Sequence, residues 1–472
     1  MSAPNAKRSR LVPRAVIAAL VLILWLAPVP AGLTLEAWHL FALFAGAIIA
    51  VMIDAFPLLT ASVFALAAAV LSGTLPAAKA YDGFSNGTIL LIVVAFLVAR
   101  AVVTCGLGAR FGNMAVAVFG RSTLGLAYSI FIADGVIAPA FPSNTARSGV
   151  LYPLTLSIAE AVGAGPGVGG RQRIGAFLMF SGIASLTVSS ALWFTAMAAN
   201  PLGAEIARRH GLTIGFGNWL VASCVPTLAA MVLLPWLLFK VIRPEVSATP
   251  EAPRAARAAL AAMGPLSTNE KIVAVTFVGM VGLWAAAASL DLDSTAIAFL
   301  GLGVLLATGV LTPGDIAKEG DVLATFIWFA VLFTLSGQLN ELGFMGYLGV
   351  HLAARLGGLS PFVAGTTLVV AYVVLHYLFV SQTAHLLALF GVFLDVGVTL
   401  HVPVAPLAFL LLFATNFFSA NAPQGSSANL LFAGSGYLSQ RDLYKLGALT
   451  TAFNLAVYLV VGTPWLLFLY WR

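Results

Sequence analysis

Charge is what this sequence has least of. Only 8% of its 472 residues are Asp, Glu, Lys or Arg, against about 25% in an average soluble domain. With 61% hydrophobic residues, the chain has more apolar surface than a core of its own can hide. A water-soluble globular protein is excluded, and lipid is the solvent. Cysteine is nearly absent. Cys105 and Cys224 both stand in apolar runs, which excludes a disulfide framework and metal-type spacing and reads as two small buried hydrophobes. Acidic residues number 17 against 23 Lys and Arg. That excess does not point to nucleic acid, because much of it lies at segment ends and in loops, as expected of cytoplasmic loops.

What is present is a succession of hydrophobic runs from about 15 to 470, each to be judged against the roughly 20 residues a helix needs to cross a bilayer. The first follows Lys7, Arg8, Arg10 and Arg14. It could pass for a signal peptide, but further apolar segments follow at once, so a retained helix with a cytoplasmic N-terminus is expected. The short runs cluster at 124–164 and 362–399, and one run extends over 174–200. The long polar stretch 243–270 reads as a cytoplasmic linker, flanked by Arg243, Arg254, Arg257 and Lys271. It divides the chain into halves, 1–242 and 271–472.

The halves echo each other. "PAFPSNTARSGVLYPL" at 139–154 stands against "YLFVSQTAHLLALFGV" at 377–392. Aligning Ser143 with Ser381 places Arg147 opposite His385. Each half also carries a broken polar segment further on, "SSALWFTAMAANP" at 189–201 and "SANAPQGSSANLLFAGSG" at 419–436. Irregular backbone at membrane depth is tolerated only where it is buried or lines a cavity.

Paired short apolar segments with a polar tip read as a re-entrant hairpin. The helix leaving Ser143 or Ser381 starts with unsatisfied N–H groups and a positive dipole end, and serine caps it. Such a start is an anion site. Two of them facing each other across a pseudo-two-fold axis make the midplane site of a secondary transporter built from inverted repeats. Two helix starts with two basic side chains suit a ligand with two anionic ends, a dicarboxylate. Arg147 can take a carboxylate bidentately and His385 can donate from a ring nitrogen. Asp134, just upstream, either pairs with Arg147, orients it or binds a cation. A fixed positive charge at the site would make the empty carrier costly to translocate, which favours exchange over sodium-coupled symport. Two rival classes fit the sequence less well. A membrane hydrolase would need Ser336 or another serine beside His376 or another histidine, and no motif joins them. A channel would show ion currents without saturation by substrate.

The sequence resembles the divalent anion–sodium symporter family over nearly its whole length. "PSNTAR" at 142–147 and "SQTAH" at 381–385 look like its two signatures, the second in the form of the di- and tricarboxylate antiporter branch, which holds bacterial antiporters and the plastid 2-oxoglutarate/malate translocator. "TAMAANP" at 195–201 and "FAGSGY" at 432–437 also look like that branch. The resemblance implies an all-α polytopic homodimer of the inner (plasma) membrane, with a scaffold and a transport domain that moves like an elevator. It implies exchange of dicarboxylates of the malate, succinate and 2-oxoglutarate class, or of citrate or tartrate. It implies no enzyme activity and no cofactor, with Na⁺ as coupling ion in the symport alternative. Carried over by position, the substrate residues are Ser143, Asn144 and Thr145 with Ser381, Gln382 and Thr383, and Gly425 and Ser426 stand beside them. Sodium-coupled members have Ser-Asn-Thr twice. Gln382 is one methylene longer, which weakens the second sodium site.

Overall fold

The computed structural model describes residues 11–166 and 172–470. Among these, ten helices are long and apolar enough to cross a membrane. Helix starts, of spans and shorter helices alike, follow from local chemistry. Thr34, Asn86, Ser122, Ser267, Asp293, Ser360 and Ser439 each accept a backbone N–H three residues on, which satisfies one of the orphan donors of a helix N-terminus. Burial separates centre from periphery. The span Arg173–Leu192 is 94% buried, whereas Thr268–Leu290 is 17% buried and presents most of its apolar surface outward, as a helix does when its solvent is lipid.

One order of elements occurs twice. Gly87–Thr104, Leu107–Phe119, Thr123–Ile137, a 3₁₀ turn at Ala138–Ala140, then Asn144–Ala161 make the first copy. Gly320–Glu341, Phe344–Leu356, Pro361–Leu375, a 3₁₀ turn at His376–Leu378, then Gln382–Thr399 make the second. Left-handed turn residues recur in step. Asp54 (φ 53°) matches Asp291 (φ 51°), and Gly106 (φ 83°) matches Gly343 (φ 81°), at nearly the spacing of 238 that separates Asn144 from Gln382. Positive φ at a helix end satisfies the last carbonyls, and glycine or a short polar side chain tolerates it best.

Two expectations change and one holds. The apolar run 174–200 breaks within 189–201, as its polar segment implies. It stops at Leu192, Trp193 is extended, a 3₁₀ turn covers Phe194–Ala196, and Ala199–Arg208 begins anew. The polar stretch 243–270 holds a helix, Glu251–Met263, which buries Ala252, Pro253 and Ala256. There Arg257 donates to the carbonyl of Ala117, and Arg110 pairs with Glu270 at 2.6 Å. Its alanines were too short to register as a spanning run, yet suffice to dock it. The first helix, Leu11–Leu26, starts earlier than the apolar run. Lys7, Arg8 and Arg10 lie outside the described residues. Arg14 donates to the carbonyl of Ala55 at 3.2 Å and lies over the Phe56 ring.

Candidate functional site

Each 3₁₀ turn gives way to extended backbone that ends on a serine. Ser143 (φ −147°, ψ 123°) and Ser381 (φ −141°, ψ 125°) have nearly the same conformation. Each hydroxyl oxygen accepts the N–H three residues on, Ala146 and Ala384, at 3.3 Å. The two helix starts meet. Asn144 Nδ2 donates to Gln382 Oε1 at 3.2 Å, so matching positions of the two copies touch each other.

Beside this contact lies a cavity of about 430 Å³, within the range of small-molecule sites. Ser143, Asn144, Thr145, Ser381, Gln382, Thr383 and Ser426 all line it. Seven of the residues expected from sequence are thus brought together. The opposing wall comes from the helix Gly320–Glu341 and the residue before it, with Glu319, Asp321, Trp328 and Phe329. No sequence signal singled out that wall.

Arg147 and His385 stand behind the cavity, not on it. Both are fully buried. Arg147 Nη1 donates to Asp134 Oδ1 at 3.2 Å and Ser189 Oγ at 2.7 Å, and Nη2 donates to Asn144 Oδ1 at 2.5 Å. Ser189 Oγ donates in turn to Asp134 Oδ2 at 2.5 Å. Asp134 therefore both neutralises and orients the guanidinium, and the direct carboxylate contact expected of Arg147 is replaced by these three partners. An unpaired charge at this depth is costly, and a buried, hydrogen-bonded pair avoids that. Paired with Asp134, Arg147 adds no free positive charge to the empty carrier, contrary to the expectation from sequence.

His385 has a different setting. Its ring lies 4.3 Å from Tyr372, 4.7 Å from Phe379 and 4.8 Å from Phe418. Its Nδ1 is 3.4 Å from His376 Nδ1. His376 Nε2 reaches the carbonyl of Gly425 at 2.9 Å, so Nε2 carries the hydrogen, His376 Nδ1 accepts, and His385 Nδ1 donates. Gly425 thus turns its carbonyl away from the cavity while Ser426 faces it. A Cβ at Gly425 would lie 2.8 Å from both Asn421 Oδ1 and the carbonyl of Ser419, so only glycine fits there. Ser336, weighed as a hydrolase serine, donates to the carbonyl of Leu387 and His376 is engaged with Gly425.

The amides behind the tips form a directed chain. With Arg147 on its oxygen, Asn144 can only donate to Gln382. Gln382 Nε2 then donates to the carbonyls of Thr415 (2.8 Å) and Asn416 (3.2 Å). Asn416 Nδ2 donates to Asn200 Oδ1 at 2.8 Å. Sequence reasoning missed Asn200 and Asn429, the struts of the broken segments. Asn200 Nδ2 serves the carbonyls of Ser190 (3.0 Å) and Trp193 (3.2 Å). Asn429 Nδ2 serves those of Ser419 (2.8 Å) and Ala422 (3.1 Å). Each takes up carbonyls orphaned where a helix breaks. An asparagine in each of the two broken segments was the available signal.

With the amides committed, donors toward the cavity are the hydroxyls and the first N–H groups of the two helices. Thr145 Oγ1 and Ser427 Oγ, 2.6 Å apart, join the first tip to the second broken segment.

The family described as the sodium:sulfate symporter transmembrane region matches residues 8–472. A putative malate transporter, YflS, of Bacillus subtilis (strain 168) is 38% identical over 97% of this chain and 96% of its own length. An L-tartrate/succinate antiporter of Shigella flexneri is 30% identical over 97% of each chain. In three dimensions the chain resembles the YdaH transporter of Alcanivorax borkumensis, with a TM-score of 0.56 over 82% of this chain and 86% of that one, at 18% identity.

Proposed function

We propose that this multi-pass membrane protein, which belongs to the sodium:sulfate symporter family, exchanges one dicarboxylate for another across the membrane. The observation that carries the reading is the single cavity lined by both serine-capped helix starts. Each start offers unsatisfied N–H groups, about half a positive charge of helix dipole, and serine and threonine hydroxyls. One carboxylate at each tip uses both. The ligand class agrees with the malate and the L-tartrate/succinate that name two relatives.

Exchange without sodium is supported by the amide chain. A cation needs bare oxygen ligands, and at Asn144 Oδ1 the Arg147 guanidinium already stands in that place. Gln382 Oε1 is likewise taken by Asn144. Arg147 therefore acts through Asn144, from behind the cavity and neutralised by Asp134, and His385 acts through His376 and Gly425.

The two copies act as inverted repeats, 1–242 and 271–472, joined by a cytoplasmic linker at 243–270. Their hairpins are re-entrant, with tips near the bilayer midplane. The hairpins and broken segments ride as one body against a scaffold that includes Gly320–Glu341, in an elevator motion, within a homodimer in the inner (plasma) membrane. The N-terminus is cytoplasmic.

The test is uptake of labelled succinate, malate or 2-oxoglutarate into proteoliposomes, preloaded with unlabelled dicarboxylate or empty, with and without a sodium gradient. Uptake confined to preloaded vesicles and indifferent to sodium is expected. Sodium-driven uptake into empty vesicles would establish symport instead.

A further inference from the structure

We infer that the wall opposite the two tips is a charge filter that admits dicarboxylates and rejects tricarboxylates, with Asp321 as the specificity-determining residue. The inference rests on reading the cavity as the dicarboxylate site, and it names which carboxylates that site takes.

Among the residues that line the cavity, only Glu319 and Asp321 carry formal charge. Glu319 is matched, its Oε1 3.0 Å from Arg100 Nε. Among the described residues Asp321 has no cationic partner. The tips contribute hydroxyls, amides and helix dipoles but no net charge, since Arg147 is buried and paired with Asp134. The cavity is therefore polarised. One side suits two carboxylates, and the other carries the half-buried Glu319 and the exposed Asp321.

A ligand bound to both tips turns any third substituent toward this wall. At about 430 Å³ the cavity is not too small for a six-carbon tricarboxylate, so size alone does not exclude one. Charge does. A third carboxylate would face Asp321, whose charge no cation among the described residues pairs with directly, since Arg100 is taken by Glu319. One added charge at roughly 8 Å, in a medium between protein and water, weakens binding by about five-fold. A neutral group in the same place meets no such penalty.

The experiment uses the full-length protein in proteoliposomes preloaded with succinate, and reads inhibition of labelled succinate uptake. The inhibitors are tricarballylate and its central monoamide, which share a skeleton and differ in one charge. The monoamide is expected to inhibit wild type about five-fold better than tricarballylate, with the ratio shrinking as salt is raised. In Asp321→Asn the ratio should fall toward one, because tricarballylate gains, while succinate binds slightly tighter. In Glu319→Gln, which leaves Arg100 unmatched, tricarballylate should gain as well. This gives a second readout if the first variant fails to fold. Equal inhibition of wild type by the two compounds would overturn the filter, and so would an unchanged ratio in both variants. Wild type that takes up no dicarboxylate under any loading would instead overturn the dicarboxylate reading itself, and the filter with it.

Discussion

The two tips have almost the same backbone and quite different chemistry behind it. Ser143 and Ser381 agree within a few degrees in both dihedrals, and both serines cap an 18-residue helix. Behind the first lies an ion pair, Arg147 with Asp134, bridged by Ser189. Behind the second, the matching positions are His385 and Tyr372, in an uncharged cluster of rings with His376 and Phe418. The cavity-facing surface was kept twice, and the support was solved twice. What the repeat preserves is the presentation of N–H and hydroxyl groups. The buried layer behind only has to hold them, and either a hydrogen-bonded charge pair or a packed aromatic cluster can do so.

The comparison can be broken most sharply at its charged member. Arg147→Met should destabilise the protein by about 3–5 kcal/mol, because it leaves Asp134 buried without its cation. His385→Leu should cost under about 2 kcal/mol, since it removes a ring whose Nε2 has no partner. Thermal unfolding in detergent measures both, and equal losses would show that the two supports do not differ as described.

The broken segments sharpen it next. Asn200→Ala and Asn429→Ala each strip two carbonyls of their donor, at about 1–3 kcal/mol. Asn200→Ala should be the worse, because Asn200 Oδ1 also accepts from Asn416 and Asn429 has no such link among the described residues. Matched unfolding temperatures would mean that the Asn416 bridge contributes nothing.

The smallest effect is expected at the join. Gln382→Asn restores the same amide residue to both tips but is a methylene too short to hold Asn144 and the carbonyls of Thr415 and Asn416 together. A loss of about 0.5–1.5 kcal/mol and a raised KM for exchange are expected. An unchanged KM would mean that the contact between Asn144 and Gln382 does not set the spacing of the tips.

Much of the cavity was legible beforehand because its parts are local. Serine before an amide and a threonine, after a proline or a short apolar run, caps a helix whatever surrounds it, and half-length spacing reveals two such caps. The role of Arg147 was not legible in the same way. Its position three residues past Asn144 puts both on one helix face, but whether the guanidinium turns to the cavity or away depends on Asp134 and on Ser189, 42 positions distant. The helix at 251–263 escaped for another reason, since alanines bury a face without forming a hydrophobic run.

By itself, then, the sequence determined the solvent, the helical class, the repeat and the two polar tips. These depend on composition and on hydrogen bonds made within a few residues, and no tertiary neighbour can reverse them. Tertiary structure decided which polar groups face the cavity and which are used up behind it, and it supplied the acidic wall from a helix near residue 320. A buried charge or amide goes where its partners are, and those partners lie far along the chain, in the other half or on the opposing helix.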